Sequence, residues 1–144
     1  MKIALGSAQF GMKYGVANKS NPASVDEVQS ILDLAWKSNI NVIDTAAVYG
    51  NEVSVGKAIK DSGVKREDIF LTSKLWNDKH GYQETLEAFQ ESLDKLGTDY
   101  LDLYLIHWPN PLAIRDKWQE KNAGSWKVME EFYEAGKIKA IGVS

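Results

Sequence analysis

The chain has 144 residues, 44% of them apolar and 26% charged, a composition typical of globular rather than disordered proteins. Its 17 basic and 20 acidic residues give a net charge of −3, which offers no electrostatic reason to expect a nucleic-acid partner. The lack of cysteine excludes disulfides and thiolate metal sites. No apolar run approaches the roughly 18 residues of a membrane span, and the opening stretch is too short for a signal peptide. We therefore expect one cytoplasmic domain, residues 1–144, with no membrane partner.

Four segments carry apolar residues at the three- and four-residue spacing of an amphipathic helix. The first begins with Ser24 and Glu27, a capping-box pattern in which each side chain can satisfy a free backbone N–H. Gly97 and Gly136 follow the third and fourth segments, where glycine commonly ends a helix. The predicted helices are 24–38, 51–60, 82–96 and 125–135.

Five short segments rich in Ile, Val, Leu and Tyr flank these helices: 3–7, 41–45, 69–74, 100–107 and 139–143. They are almost continuously apolar, which is typical of strands covered on both faces. Because strands and helices alternate and crossover connections are right-handed, we predict an α/β fold with a parallel sheet. The predicted loops 11–23 and 109–124 are long, and loops after strands often carry functional sites.

Ionisable side chains close three of the predicted strands: Asp44, Lys74 and His107. The carboxyl ends of parallel strands meet at one edge, where α/β proteins hold their ligands. Tyr49 follows Asp44 closely enough to join them. Taken singly, each has an ordinary explanation: a helix cap for the aspartate, a solvated surface for the lysine, and core packing for the histidine and tyrosine. Their joint placement favours a functional site.

The four residue types together can perform proton transfer. A free phenol has a pKa near 10, too high for efficient proton transfer at neutral pH, and a nearby ammonium favours its deprotonated form. A carboxylate would keep that ammonium charged, and an imidazole would orient a carbonyl oxygen beside the phenol. Such a site protonates a carbonyl oxygen while a hydride reaches the carbon. No side chain donates a hydride, so a nicotinamide cofactor is implied.

Other polar and aromatic residues carry weaker signals. Trp76, Trp108 and Trp118 lie on or near strand-end loops, where they either wall an apolar substrate pocket or anchor the loops. We interpret His80 as a solvated loop residue and Asp102 as a structural carboxylate within a strand. Two histidines far apart in sequence and no cysteine indicate that there is no metal site.

Four motifs resemble those of the aldo-keto reductase family. Residues 44–50 match the pattern D-T-A-x-x-Y-G, and 71–74 and 98–109 resemble the family's lysine and histidine motifs. Residues 136–144 resemble G-K-[IV]-[RK]-x-[IL]-G-V-S-N up to its last position, and 6–11 match the G-[TS]-A-Q-F-G opening of a microbial branch. The motifs extend over the whole chain, in the family's order and spacing.

The resemblance implies an NADP(H)-dependent oxidoreductase on a parallel (β/α)8 TIM barrel, acting on a small carbonyl or alcohol substrate. It implies that Tyr49 is the general acid, that Lys74 and Asp44 tune it, and that His107 positions the substrate carbonyl. It also implies that Gly6, Ser7, Asp44 and Ser144 contact the cofactor.

A closed barrel of this class needs about 250 residues, whereas the chain has five predicted strands and four predicted helices. We therefore expect an incomplete barrel, truncated at its C-terminal side, whose outer strands expose apolar edges. Two alternatives to catalysis remain open: a non-catalytic cofactor-sensing protein, and a half-barrel that self-associates through its open sheet.

Overall fold

The computed structural model describes residues 3–16 and 21–144, so the predicted loop 11–23 lies partly outside the described residues. The strands are β1 Ala4–Gly6, β2 Val42–Asp44, β3 Phe70–Leu75, β4 Leu103–Ile106 and β5 Ile141–Val143. The α-helices are α1 Ala8–Gly11, α2 Val25–Lys37, α3 Glu52–Asp61, α4 Tyr82–Leu96 and α5 Trp118–Glu134. Short 3-10 turns occupy Ala47–Tyr49, Arg66–Asp68 and Leu112–Ile114.

The strands form one sheet in the order β1-β2-β3-β4-β5, and every neighbouring pair is parallel. Strand order thus follows chain order, as in consecutive βαβ units of a (β/α)8 barrel. Gly6 pairs with Asp44, Asp44 with Thr72, and Lys74 with Leu105, so the carboxyl ends of the strands meet at one edge. The predicted parallel α/β fold of five strands is confirmed.

The two faces of the sheet differ in burial. In β4, Tyr104 and Ile106 are fully buried, whereas Leu103 and Leu105 are half-buried. The central strand β3 is buried on both faces from Leu71 onwards, as predicted. The prediction of two covered faces is wrong for the other four strands, each of which has half-buried or exposed residues. In a closed barrel, side chains from the opposite strands fill the interior, and these five strands leave their inner face open.

Helix ends follow the sequence signals where those signals are local. The capping box of α2 is present: the Glu27 N–H donates to Ser24 Oγ and the Ser24 N–H donates to Glu27 Oε2. Gly97 ends α4 in the left-handed region, at φ 64°. Helix α1, which was not predicted, has four residues, too few to show a periodic pattern.

Helix α5 begins at Trp118 rather than at the predicted residue 125. Polar contacts, rather than a stripe of apolar residues, hold its first two turns against α4 and the loop that follows β4. Lys121 Nζ lies 2.7 Å from Glu84 Oε1 on α4, and Asn122 Nδ2 donates to the backbone oxygen of Pro109. Hydrophobic periodicity cannot detect a turn held in this way. Among the described residues, no helix combines the length and apolar character required to cross a membrane.

Asp102 ties three segments together at the end of the sheet opposite the strand carboxyl ends. Its Oδ2 accepts hydrogen bonds from the Leu71 N–H at 3.0 Å and from Arg66 at 2.8 Å, and its Oδ1 accepts from Lys139 at 2.9 Å. Burial raises the pKa of Asp102, but these three hydrogen bonds outweigh burial and hold the pKa below its usual value. The interpretation of Asp102 as a structural carboxylate agrees with these contacts.

Replacing Asp102 should therefore weaken the fold in a pH-dependent way. We expect Asp102→Asn to lower the free energy of unfolding at pH 7 by about 2 kcal/mol, because three donors lose a charged acceptor. The stabilisation is complete above the unfolded pKa of about 3.9 and is lost as the pH falls through the lower folded value. Denaturant unfolding at pH 7 and pH 3 measures both effects.

Asp99→Asn is the matched control, because Asp99 is an exposed aspartate three residues before Asp102 in the chain. We expect this variant to change the free energy of unfolding by less than about 0.5 kcal/mol. Equal losses from the two substitutions would contradict the structural role of Asp102.

Candidate active site

The carboxyl edge of the sheet brings together the four residues that the sequence singled out. Asp44 is the last residue of β2, Lys74 lies near the end of β3, and His107 directly follows β4. Tyr49 ends the 3-10 turn that follows β2. The ends of three neighbouring strands and the turn after β2 thus meet at one edge of the sheet, as the parallel topology requires.

Lys74 is the buried charge of this edge. Its side chain is 7% exposed, and its Nζ donates to Asp44 Oδ1 at 2.6 Å and to the backbone oxygen of Thr45 at 2.9 Å. Removing an ammonium from water is costly unless a carboxylate and further acceptors surround it. The Asp44 carboxylate and the Thr45 carbonyl meet that requirement and fix the position of the ammonium.

Tyr49 and His107 lie against this ion pair. The Lys74 Nζ is 5.2 Å from the centroid of the Tyr49 ring. The rings of Tyr49 and His107 meet edge to face with centroids 5.9 Å apart, and His107 meets Trp76 in the same way at 5.3 Å. The Tyr14 ring also lies near Tyr49, with ring centroids 6.5 Å apart. The phenol and the imidazole therefore belong to one cluster of aromatic side chains.

The environment of His107 favours its neutral form. Burial lowers the pKa of His107, and the Lys74 charge lowers it further, against an opposing effect of Asp44. Its Nδ1 is buried and has no hydrogen-bond partner among residues 3–16 and 21–144. A neutral imidazole keeps one N–H donor, which is what a carbonyl oxygen needs as a partner.

The residues predicted to contact a cofactor lie along the same edge. Gly6 ends β1, is exposed, and has no atom within 4 Å of the position that a Cβ would take. Ser144 is exposed directly after β5, and its N–H donates to the Ile106 oxygen at 2.9 Å. Ser7 is fully buried, its backbone N–H donates to the Asp44 oxygen, and its own oxygen accepts from Asn51.

The sequence analysis identified Asn51 only as the start of a predicted helix. In the structure, Asn51 positions neighbouring segments. Its Nδ2 donates to the Ser7 oxygen, and its Oδ1 accepts from Thr45 Oγ1 at 2.8 Å. Asn51 thus joins the ends of β1 and β2 to the start of α3, two residues after Tyr49. The only sequence signal was its place next to Tyr49 and Gly50.

A buried pair fixes the Tyr49 turn against β3. Ser73 Oγ donates to Glu52 Oε1 at 2.7 Å, and both side chains are almost fully buried. Glu52 lies in the first turn of α3, where a helix favours negative charge, and Ser73 precedes Lys74 in β3. The pair therefore sets the distance between the segments that carry Tyr49 and Lys74.

His80 is buried, and the expectation of a solvated loop histidine is wrong. It lies between β3 and α4, and α5 covers this loop because its first turns extend beyond the predicted start. Sequence pattern could not show that contact. Within the described ranges, no group of three or more histidine, cysteine, aspartate or glutamate residues could hold a metal ion.

The fold and the edge define a parallel α/β protein of the (β/α)8-barrel class, with ionisable side chains gathered at the carboxyl ends of its strands. The sequence model described as the aldo/keto reductase family matches residues 2–144, and the chain belongs to that family. The predicted membership of this family of oxidoreductases is confirmed.

Curated relatives and solved structures support the assignment. The chain is 50% identical over 119 residues to "Glyoxal reductase" of Bacillus subtilis (strain 168), covering 83% of the chain and 40% of that protein. It is 44% identical over 143 residues to "Methylglyoxal reductase DkgA" of Escherichia coli (strain K12), covering 99% and 48%. An aldo/keto reductase structure from Brucella melitensis superposes with a TM-score of 0.78 at 45% identity, covering 97% of this chain and 47% of that one.

A Bombyx mori aldo-keto reductase solved in complex with NADP superposes with a TM-score of 0.77 at 39% identity, covering 99% of this chain and 46% of that one. The chain therefore spans about half the length of the relatives that it matches.

A close approach at Gly11 should restrict the Tyr49 turn. A Cβ at Gly11 would lie 2.0 Å from the Tyr49 backbone oxygen, whereas Gly6 has open space. We expect Gly11→Ala to lower the free energy of unfolding by about 1 to 3 kcal/mol, because the turn must move. Gly6→Ala should change it by less than about 1 kcal/mol. Denaturant unfolding compares the two, and an equal effect would contradict the close packing at Gly11.

The charges around His107 should be visible in its titration. We expect nuclear magnetic resonance to give His107 a pKa below the free value, raised by Lys74→Met and lowered further by Asp44→Asn. His80 is the internal control, because the charges acting on its pKa are those of Asp78 and Lys121. A His107 titration that neither substitution shifts would show that the ring does not sense the ion pair.

Proposed function

We propose that the chain carries the catalytic half of a reductase that converts an aldehyde or ketone to an alcohol with NADP(H), and that Tyr49 is the general acid. The observation that carries this proposal is the buried Lys74 ammonium, held by Asp44 at 2.6 Å and placed 5.2 Å from the Tyr49 ring. In this proposal, the ammonium stabilises the negative charge that develops on the phenol as it transfers its proton in the transition state.

In this proposal the proton follows a short path. The Tyr49 hydroxyl gives its proton to the substrate carbonyl oxygen as the carbon receives a hydride, and the phenolate left behind faces Lys74. Asp44 keeps the ammonium charged and in place. The neutral imidazole of His107 donates its N–H to the same carbonyl oxygen and thereby aligns the substrate with the phenol. The aromatic side chains beside His107, including Trp76, favour the apolar part of a small substrate.

The residues at the edge of the sheet fit the nicotinamide end of the cofactor. Gly6 leaves an open surface, the Asp44 carboxylate is 38% exposed, and Ser144 offers an exposed hydroxyl. These are acceptor and donor groups suited to a carboxamide and a ribose, and we propose that they hold it. When bound, the cofactor supplies the hydride that no side chain can provide. Ser7 acts through Asn51, since its oxygen is already engaged there.

The relatives support both the substrate class and the cofactor. Two of them are named for glyoxal and methylglyoxal reduction, and a similar structure was solved with NADP. We propose a small reactive aldehyde as the substrate. Because the chain spans about half of each relative, we also propose that it acts within a longer polypeptide whose further strands close the barrel and complete the cofactor site.

The general acid can be tested by removing one oxygen atom. In the full-length polypeptide with NADPH and methylglyoxal, we expect Tyr49→Phe to lower kcat by about 100-fold or more, because general acid catalysis contributes about that much. The affinity for NADPH, measured by fluorescence titration, should stay within about twofold, a ratio worth less than about 0.5 kcal/mol.

Tyr133→Phe is the matched control, because it removes an exposed phenol on α5, away from the strand ends. We expect it to keep the full rate. Comparable turnover in wild type and Tyr49→Phe would remove Tyr49 as the acid. NADPH binding without hydride transfer to a broad aldehyde panel would favour a cofactor-sensing protein.

A further inference from the structure

Three buried polar atoms lie unpaired where two loops of the candidate active site meet α5. They are both ring nitrogens of His80, in the loop between β3 and α4, and Oδ1 of Asn122, on α5. Each is enclosed and has no hydrogen bond of standard geometry to the described part of the chain. Buried polar groups in native proteins are rarely left unpaired, so this cluster needs an explanation.

Asn122 faces both loops at once. Its Nδ2 donates to the backbone oxygen of Pro109, in the loop between β4 and α5, at 2.5 Å. Its side chain is also close enough to His80 to favour the protonated ring, although burial has the larger effect and holds the pKa of His80 below its usual value. A neutral imidazole has one N–H, and Asn122 Oδ1 is the buried acceptor beside it.

The loop that carries His80 is packed closely on α5 through other contacts as well. The Gly81 N–H donates to Ser125 Oγ at 2.9 Å, and Thr85 Oγ1 donates to the same oxygen at 2.8 Å. At Gly124, a Cβ would lie 2.9 Å from the Tyr82 backbone nitrogen. The loop that carries His80 is therefore held firmly against the first turns of α5, where Asn122 lies.

These two loops carry Trp76 and His107, and the His107 ring meets that of Tyr49. Trp76 lies four residues before His80, and His107 lies two residues before Pro109. The rings of Trp76 and His107 meet with centroids 5.3 Å apart. A link from His80 through Asn122 to Pro109 therefore connects the two loops that carry this aromatic pair.

We propose that His80 and Asn122 form a hydrogen-bonded latch between the two loops, and that this latch positions Trp76 and His107 for catalysis at Tyr49. The His80 N–H donates to Asn122 Oδ1, while Asn122 Nδ2 holds the Pro109 oxygen. The catalytic part of this inference rests on the proposed reductase function. Both latch residues are positioning residues, because neither touches the reacting atoms.

The latch predicts a specific kinetic pattern in the full-length polypeptide. Small misplacements of positioning groups can cost about 100-fold in rate, so we expect Asn122→Ala to lower kcat/KM for methylglyoxal about 10- to 100-fold. The KM for the aldehyde should rise, and the affinity for NADPH should stay unchanged. Asn122→Asp keeps the side-chain shape and an acceptor for His80 but loses the donor to Pro109. We expect an intermediate loss of kcat/KM from this variant, which also serves as a control for misfolding of Asn122→Ala.

Coupling between the two residues separates a latch from two independent structural effects. We expect His80→Ala and Asn122→Ala together to lower kcat/KM no further than either alone, because both remove the same link. His80→Gln, which retains a side-chain N–H, should recover most of the activity. Gln119→Ala is the matched control: it removes an exposed amide from the same helix and should leave all kinetic constants unchanged.

A measurement that does not depend on activity tests the contact itself. Nitrogen-detected magnetic resonance of the histidine rings should show one neutral tautomer of His80 with a slowly exchanging N–H. Asn122→Ala should abolish that slow exchange and shift the ring signals of His107, whereas Gln119→Ala should do neither.

Unchanged His80 and His107 signals in Asn122→Ala would overturn the latch, whatever the kinetics show. Additive losses in the double variant, with no rescue by His80→Gln, would overturn its positioning role. If the wild-type protein reduces no aldehyde, the proposed function is wrong, but the resonance comparison still decides whether His80 and Asn122 join the loops.

Discussion

The site depends on one buried charge, the Lys74 ammonium in β3. A lone ammonium in this position would favour unfolding or deprotonation, so the fold must bring a carboxylate and further acceptors to it. Asp44 and the Thr45 carbonyl do so from the neighbouring strand, at 2.6 and 2.9 Å. The requirement ties the carboxyl ends of β2 and β3 together and leaves the positive charge beside the Tyr49 ring. The stability of this edge and the proposed chemistry thus depend on the same contact.

Much of this edge could be predicted because it follows from topology alone. In a parallel sheet, any residue at the carboxyl end of a strand lies at the common edge, so Asp44, Lys74 and His107 meet whatever path the loops take. The same reasoning could not place His80, because its burial depends on the early start of α5. That start is set by polar contacts of Lys121 and Asn122, which leave no periodic signal in the sequence.

Sequence reasoning missed two residues of the site, Asn51 and Glu52. The side chain of each joins segments that are distant along the chain. Asn51 joins the ends of β1 and β2 to α3, and Glu52 joins the same helix to Ser73 in β3. From the sequence alone, both residues look only like the start of the helix that follows Tyr49, α3. Only their hydrogen bonds to β1, β2 and β3 in the folded structure show that the same residues also fix Tyr49 relative to Lys74.

The Lys74 charge also acts on the second ring of the site, the His107 imidazole. Burial and this ammonium both lower the pKa of His107, which disfavours positive charge on the ring. In the proposed reaction, a neutral imidazole is suited to donate a hydrogen bond to the carbonyl oxygen without taking the proton of the phenol itself. The position of His107 beside the Lys74–Asp44 pair therefore fits the proposed roles, in which Tyr49 is the acid and His107 is the hydrogen-bond donor.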